Sequence, residues 1–238
     1  MPTRKKKSTR LRRSSMHGLN GDQKEGDFGA FVSAIIDKGA RKKVFTAREV
    51  IYREGDHADK VFMILGGMAK LLSYLPNGRA RIVRLHSLNH WLGFEGLLDQ
   101  PYEHTAIAVD DVEMVYMSLN DLHLLERDNP RQYCELLKQG YRHLALADRC
   151  LADLSTGGIR PRVARLVDFL AKLEYGETSN RVELLTVHEM ADMLGVTPES
   201  VSRILAEFKR NDILHKLSDH LDEVYEIKAE QLQREARQ

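Results

Sequence analysis

Between residues 44 and 117 the chain alternates short apolar-rich runs with polar turns. The Asn77-Gly78 pair separates two alternating runs, and both residues tolerate the backbone of a tight hairpin. Several short strands at this spacing predict a β-sandwich or a β-roll, and the apolar pattern at 28–37 predicts a short helix before it. The predicted strands are residues 44–45, 50–52, 61–65, 70–75, 79–86, 105–109 and 112–117.

A single helical pattern follows Asn129-Pro130 and runs from residue 131 to about 155. Leucine recurs every seven residues, and Cys, Tyr and Asp occupy the intervening positions of the same seam, which is a coiled-coil heptad. The alternative is an ordinary amphipathic helix packed on its own domain. Because Tyr and Asp make a poor internal core, the pattern favours a dimer helix. Its predicted interface residues are Leu137, Tyr141, Leu144, Asp148 and Leu151.

Two short helices joined by a glycine are predicted within residues 184–214. Thr186 can cap a first helix, and Gly195 allows a sharp exit from it. Thr197 can cap a second helix with Pro198 at its first position, where the missing N–H costs nothing. The arrangement predicts a helix-turn-helix.

The second helix has one apolar face and an opposite face of short polar residues and arginine. The apolar face collects Val201, Ile204, Leu205 and Phe208. The N-terminal end of a recognition helix enters the major groove most deeply, so Arg203 can donate to guanine and Glu199 can accept from cytosine. The predicted DNA-binding residues are Thr197, Glu199, Ser200, Ser202 and Arg203. The alternative is a helical hairpin that only packs.

The C-terminal segment predicts a wing beside these helices. Residues 213–217 and 224–227 are strand-like runs around a polar turn at 218–223, and the polar tail 228–238 predicts a frayed helix. A glycine pair at 157–158 breaks the preceding long helix and makes a hinge.

Composition is that of a globular chain of 238 residues, 42% hydrophobic and 30% charged, with room for two modest domains. The N-terminus carries seven basic residues up to Arg13 and no apolar stretch behind them, so it predicts a disordered tail and no signal peptide. This tail either remains solvated or contacts DNA phosphates. Two cysteines without CxxC spacing fit a cytoplasmic protein, and no run is long enough to span a membrane.

A strand-rich half, a long helix after Asn-Pro and the segment GVTPESVSRIL followed by a wing resemble the bacterial CRP/FNR regulator family across residues 28 to 228. The resemblance implies an α+β fold: a cyclic-nucleotide-binding-type β-roll (a double-stranded β-helix), a dimerisation helix and a winged helix-turn-helix. The implied regions are a basic tail (1–27), a sensor roll (28–128), the dimer helix (129–156) and the DNA-binding domain (157–238).

The resemblance also implies a function, which is transcription regulation and not enzyme catalysis. The implied partners are double-stranded DNA, a second copy of the chain, an effector of unknown identity and, for an activator, RNA polymerase. The spacing of Glu199, Ser202 and Arg203 is similar to the FNR branch, which implies an inverted-repeat operator related to TTGAT–N4–ATCAA.

The residues at the family's effector pocket depart from those that bind cyclic AMP. The pocket stretch corresponds to residues 93–97, with Gly93 and Glu95, and the Arg-Ser pair that holds the cyclic phosphate is replaced by His104-Thr105. A neutral imidazole does not replace a bidentate guanidinium. The helix threonine that meets adenine corresponds to Ala147. The expectation is a different small ligand in the same roll.

A metal cofactor needs ligands of a particular type and number. The FNR iron–sulfur cluster needs four thiolates, and two cysteines cannot supply them. Haem stays open, because the sensor half and the dimer helix are rich in histidine, but no spacing singles out an axial ligand. The histidines concerned are His57, His86, His90, His104, His123 and His143.

Two interpretations from other classes stay open. One is a metal- or haem-binding cupin-like protein, although the β region contains no His-x-His pair. The other is a cyclic-nucleotide-responsive module that regulates a partner protein. Metal retained after dialysis favours the first, and binding to an inverted-repeat operator counts against the second.

Overall fold

The computed structural model describes residues 40–176, 178–217 and 224–237. The predicted basic tail (1–27), the predicted helix at 28–37 and the wing turn at 218–223 lie outside the described residues. Within the described ranges, no helix is both long and apolar enough to cross a membrane.

The strand-rich half folds as a β-roll of two four-stranded antiparallel sheets. One sheet has the order β1-β8-β3-β6 and the other the order β2-β7-β4-β5. Apolar side chains from both sheets, among them Phe45, Ile64 and Leu71, pack in one core cluster. The strands are β1 (Arg41–Phe45), β2 (Val50–Tyr52), β3 (Lys60–Gly66), β4 (Ala69–Tyr74), β5 (Ala80–His86), β6 (Trp91–Leu92), β7 (Thr105–Ala108) and β8 (Val112–Ser118).

The predicted hairpin forms between β4 and β5. Gly78 has a φ of 78°, and the backbone N–H of Leu75 donates to the carbonyl of Arg79 at 2.9 Å. The structure adds β6 and a 3-10 helix (Phe94–Leu98), which the alternation did not predict because both are too short to show a period.

Two helices follow the roll. Helix α1 (Leu119–Asp128), which was not predicted, begins at a capping box between Ser118 and Asp121. Helix α2 (Pro130–Ser155) confirms the predicted long helix, and the side chain of Asn129 caps it by accepting a hydrogen bond from the backbone N–H of Gln132 at 3.4 Å.

The C-terminal part is a winged helix-turn-helix. Its strands form a sheet in the order β10-β11-β9, so a third strand lies beside the two that were predicted. Helix α6 confirms a helical tail. The elements are α3 (Ile159–Tyr175), β9 (Arg181–Glu183), α4 (Val187–Leu194), α5 (Pro198–Arg210), β10 (Leu214–Lys216), β11 (Val224–Ile227) and α6 (Ala229–Ala236).

One hydrophobic core joins the roll to the winged domain. Leu72 and Leu85 of the β4–β5 hairpin belong to the same buried cluster as side chains of α3, α4 and α5. Polar contacts reinforce this packing, because Lys70 on β4 lies 2.7 Å from a carboxylate oxygen of Glu189 on α4. The Ser87 hydroxyl, after β5, donates to the carbonyl of Leu173 on α3 at 3.0 Å. The β-roll therefore contacts the winged domain directly.

Candidate nucleic-acid interface and sensor pocket

The two helices of the helix-turn-helix have well-formed ends. Thr186 and Glu189 make a reciprocal capping box at the start of α4, and Gly195 ends that helix in the left-handed region with a φ of 66°. At the start of α5, the Thr197 hydroxyl accepts a hydrogen bond from the backbone N–H of Ser200 at 3.4 Å. The local sequence thus determines both helix boundaries, as predicted.

Helix α5 buries its apolar face and exposes the predicted groove-facing residues. Glu199, Ser202 and Arg203 are exposed at its N-terminal half. The predicted apolar residues are all buried: Val201, Ile204, Leu205 and Phe208. Of the other two predicted DNA-binding residues, Thr197 is exposed and Ser200 is half-buried, and their side-chain oxygens lie 3.1 Å apart. Both therefore contribute to the helix cap as well as to the exposed N-terminal end, where the helix dipole favours phosphate.

The inner flank of α5 is held by an arginine from α3, the first helix of the winged domain. Arg160 on α3 forms an ion pair with Glu207 on α5 and another with Glu235 on α6. These hydrogen bonds raise the pKa of the Arg160 guanidinium, with Glu235 the largest contributor. The sequence pattern did not single out this group, because its three members lie on different helices.

Helix α2 presents an exposed apolar stripe. Tyr141 is 72% exposed and Leu151 is 69% exposed, while Leu144 is 53% and Leu137 is 45% exposed. The heptad partners Cys134 and Asp148 are exposed on the same helix. The predicted interface residues thus do not pack inside their own chain.

The predicted effector pocket is shaped by close backbone contacts. Gly93 has a φ of 85°, and a Cβ there would lie 2.7 Å from the carbonyl oxygen of Lys60. A Cβ on Gly96 would lie 2.1 Å from the carbonyl oxygen of Ala58. Only glycine fits at both positions, so the stretch that carries Glu95 is fixed against β3.

Glu95 meets two further polar residues at this pocket. Donor atoms of Glu95, Glu103 and His104 lie within 4.8 Å of one another, an arrangement that a divalent cation could use. Burial lowers the pKa of His104, and the nearby Arg84 adds to that effect. Glu103 was not predicted as a pocket residue, although it directly precedes the predicted His104-Thr105 pair.

The two remaining residues predicted at the effector pocket lie in different surroundings. Thr105 is buried, and its hydroxyl accepts a hydrogen bond from the backbone N–H of Glu54 at 3.1 Å. Ala147 lines a small cavity beside α2 and offers no hydrogen-bonding side chain.

Three histidines from distant parts of the sequence come together beside this pocket. We call His86 at the end of β5, His90 before β6 and His143 on α2 the histidine cluster. Their ring centroids are 5.7 Å (His86–His90), 5.6 Å (His86–His143) and 4.3 Å (His90–His143) apart. His57 and His123 are exposed elsewhere. The sequence signal for this cluster was only the spacing of four between His86 and His90.

The cluster is electrically neutral. Burial lowers the pKa of His90 to about 3 and that of His143 to about 4. The pKa of His86 is well below its usual value because of burial, with smaller contributions from His90 and His143. Among the described residues neither ring nitrogen of His86, nor Nδ1 of His143, has a hydrogen-bond partner.

Comparisons with known proteins agree with this architecture. Residues 42–128 match the profile of the cyclic nucleotide-binding domain, and residues 164–234 match that of the Crp-like helix-turn-helix domain. The chain is 30% identical over 179 residues to the transcriptional regulator LdrP of Thermus thermophilus, covering 72% of this chain and 86% of LdrP. It is 26% identical to a CRP-like cAMP-activated global transcriptional regulator of Mycobacterium tuberculosis, covering 74% and 80% of the two chains.

Among solved structures, FixK2 from Bradyrhizobium japonicum superposes with a TM-score of 0.72 at 20% identity. The match covers 82% of this chain and 96% of FixK2. At this identity, the likeness concerns the fold alone.

Proposed function

This chain belongs to the CRP/FNR family of transcription regulators, and we propose that it acts as a homodimer that binds an inverted-repeat operator in response to a ligand of its β-roll. The observation that carries the proposal is the surface of α5. Its apolar side is buried, while Glu199, Ser202 and Arg203 are exposed together at the end that enters a groove.

The exposed residues suit particular bases. Arg203 donates two hydrogen bonds to guanine O6 and N7, and Glu199 accepts one from cytosine N4. We therefore expect a half-site related to TTGAT. The backbone N–H groups at the start of α5, near Thr197, would meet a phosphate and set the register of the helix.

A homodimer is supported by the stripe on α2. A second copy of the same stripe would cover the exposed parts of Leu137, Leu144 and Leu151, and each would then contribute about 0.7–2 kcal/mol. Two-fold symmetry then presents two copies of α5 to successive major grooves about one helical turn apart, which matches an inverted repeat.

Asp148 controls how strongly the two chains associate. In a parallel pair, two Asp148 carboxylates would meet in the seam, where like charges disfavour association unless they are hydrated, protonated or paired with a ligand. We expect Asp148→Ala to strengthen dimerisation and operator binding without effector. Unchanged values in sedimentation and DNA binding would contradict this switch.

The experiment that tests the function is selection of DNA from a random pool by the purified full-length protein. An inverted repeat of TTGAT-like half-sites should be enriched. Glu199→Ala serves as a matched variant, because it should relax the preference at one base pair of each half-site and leave the rest. A pool without any enriched inverted repeat would overturn the proposal.

A further inference from the structure

His86 is a buried polar residue without an evident role in the structure. It is 4% exposed, and within the described part of the chain both of its ring nitrogens lack a hydrogen-bond partner. Leaving one buried polar group unpaired costs about 1–3 kcal/mol. Such a group in a native protein calls for an explanation, and a bound ion is one.

The spacing of the histidine cluster fits a single ion. Three imidazoles on one tetrahedral metal, with metal–nitrogen bonds of about 2.0–2.1 Å, place their ring centroids about 5 Å apart. The observed separations of 4.3, 5.6 and 5.7 Å lie on both sides of that value. As the rings stand, their ligand nitrogens do not all lie within 4.8 Å of one another, so the rings must rotate about χ2 for their lone pairs to meet at a common centre.

The cavity that the cluster lines also has the size of one ion. Its volume is about 20 Å³. One water molecule needs roughly 10–15 Å³ of such space, so a single ion fits and a porphyrin does not. The haem considered from the histidine count therefore has no room between these three rings.

We propose that His86, His90 and His143 bind one divalent transition-metal ion of the zinc class, and that this ion is a ligand of the sensor half. As a metal site the proposal stands alone, and as a signal it rests on the proposed regulatory function. Imidazole nitrogens suit zinc, copper, nickel and iron, whereas magnesium and calcium prefer oxygen.

The hydrogen bond of His143 prepares it for this role. His143 bonds to the backbone of Trp91, while its Nδ1 has no partner among the residues that the structure describes. A metal-bound histidine characteristically donates its second ring N–H to a backbone carbonyl or a carboxylate, which fixes the tautomer. Nδ1 is thus the metal-facing atom of His143. The contact between the backbone N–H of Ser87 and Nδ1 of His90 is long, at 3.4 Å, so an ion can displace it.

The fourth ligand comes from solvent. Cys150 lies seven residues after His143 on the same helix and lines the same cavity, as does Arg84. Seven residues span about 10.5 Å along a helix, which is too far for the Cys150 thiol and Nδ1 of His143 to bind one ion. Because the Arg84 charge opposes a bare cation, the fourth ligand is a metal-bound hydroxide.

The site lies where a bound ion would connect the roll to α2 and contact the first helix of the DNA-binding domain. His86 and His90 belong to the roll, His143 belongs to the helix with the dimer stripe, and Phe169 of α3 lines the same cavity. An ion would therefore tie the roll to α2 beside the first helix of the winged domain.

The test is Co²⁺ and Zn²⁺ binding to the full-length protein after chelator treatment. We expect one Co²⁺ per chain with the visible absorption of a four-coordinate ion, displaced by Zn²⁺. His86→Ala and the half-buried His90→Gln should each weaken binding at least about 100-fold, and the exposed His123→Ala should not change it. Cys150→Ser should leave Co²⁺ binding unchanged, and a loss of binding in that variant would overturn the assigned ligand set.

The outcomes separate this inference from the proposed function. No stoichiometric binding, or binding that both cluster variants leave intact and Glu103→Gln abolishes, would overturn the histidine site even if operator binding is normal. Binding with the expected variant pattern but no operator selection would support the site and overturn the regulatory function. Operator affinity of the wild type, measured with and without Zn²⁺, shows whether the ion is a signal, and an unchanged affinity would overturn that part.

Discussion

The helix-turn-helix and the sensor cavity keep their polar side chains in opposite environments. On α5, Glu199, Ser202 and Arg203 are exposed and rest on a buried apolar face. In the sensor cavity, His86 is buried and His90 and His143 are half-buried against apolar walls. A surface that binds a long polyanion must stay open to solvent, whereas a site for one ion gains affinity by enclosure. The two regions thus differ in the way that the proposed DNA interface and the proposed ion site require.

The largest effect is expected from a substitution in the apolar stripe of α2, on which dimerisation and operator binding both depend. Leu144→Asp should convert the dimer to a monomer, because it removes about 0.8–1.6 kcal/mol of burial from each half-exposed side chain and places two carboxylates in the seam. Sedimentation velocity measures the change, and operator affinity should fall with it. Leu144 is 53% exposed, so the fold of the protomer should be unaffected.

The matched control for the dimer variant is Val44→Asp. Val44 is 54% exposed on β1, an edge strand of the roll, and the same charge there should leave the dimer intact. Equal effects of the two substitutions would mean that α2 is not the interface. Co²⁺ binding by the Leu144→Asp monomer should be retained, since the three histidines belong to one chain.

The next largest effect is expected at the exposed surface of α5. Arg203→Ala should cost about 1–3 kcal/mol per half-site, a loss of roughly 5-fold to 150-fold, by removing a bidentate bond to guanine. The loss should fall on operator DNA, while weak binding to random DNA changes little. Fluorescence anisotropy with both DNAs measures it. Arg234→Ala, an exposed arginine on α6, removes the same charge and should leave the preference for operator unchanged.

The ease of prediction from sequence differs between these regions for a physical reason. The helix-turn-helix depends on contacts between near neighbours: a cap at Thr186, a left-handed glycine at Gly195 and a face repeated every three or four residues. Such features are local, so the sequence predicts them. The same holds for the β4–β5 hairpin at Asn77-Gly78 and for the exposed heptad of α2.

The histidine cluster depends on tertiary contacts. His86 and His143 are separated by 57 residues and meet only because the roll packs on α2. No periodicity in the sequence predicts this contact, and the number of histidines does not show which of them lie together. The third strand β9 escaped prediction for the same reason, because its hydrogen-bonded partner β11 is distant in the sequence. In the Glu95–Glu103–His104 group, Glu95 and His104 were predicted as pocket residues and only Glu103 was missed.

The turn of the helix-turn-helix offers a smaller test at the place where the two regions touch. Gly195→Ala should destabilise the protein by about 1–2 kcal/mol, since it forces a side chain into the left-handed region. The added Cβ would also contact the guanidinium of Arg81 on β5, whose flexible end can move away. Denaturant unfolding measures the loss.

Gly78→Ala is the matched control for that turn. Gly78 has a φ of 78° and nothing within 4 Å of its added Cβ, so it should lose a similar stability from strain alone. Only Gly195→Ala should weaken operator binding as well, because it shifts α4 relative to α5. A loss of operator affinity in both variants would attribute the effect to general destabilisation.

The smallest effect concerns the ion pair that joins the regions. Lys70 on β4 and Glu189 on α4 are only about 16% and 15% exposed at their side chains. Burial alone would raise the pKa of Glu189, but the hydrogen bonds from Lys70 and Thr186 outweigh it and hold the pKa below the usual 4.5. A carboxyl with a depressed pKa stabilises the fold above its unfolded pKa, and that contribution is lost as the pH falls through the lower folded value.

Lys70→Met should therefore lower stability by about 1 kcal/mol at pH 7 and by progressively less as the pH falls from about 4.5 through the lower folded pKa, where the carboxyl becomes protonated. The difference between wild type and variant in urea unfolding, measured from pH 7 to pH 3.5, reports this directly. Lys42→Met, which breaks the exposed pair with Glu113 inside the roll, should show no such pH-dependent difference. A Lys70 effect that stays constant with pH would mean that the methylene stem of the lysine, and not its charge, connects the sensor roll to the DNA-binding domain.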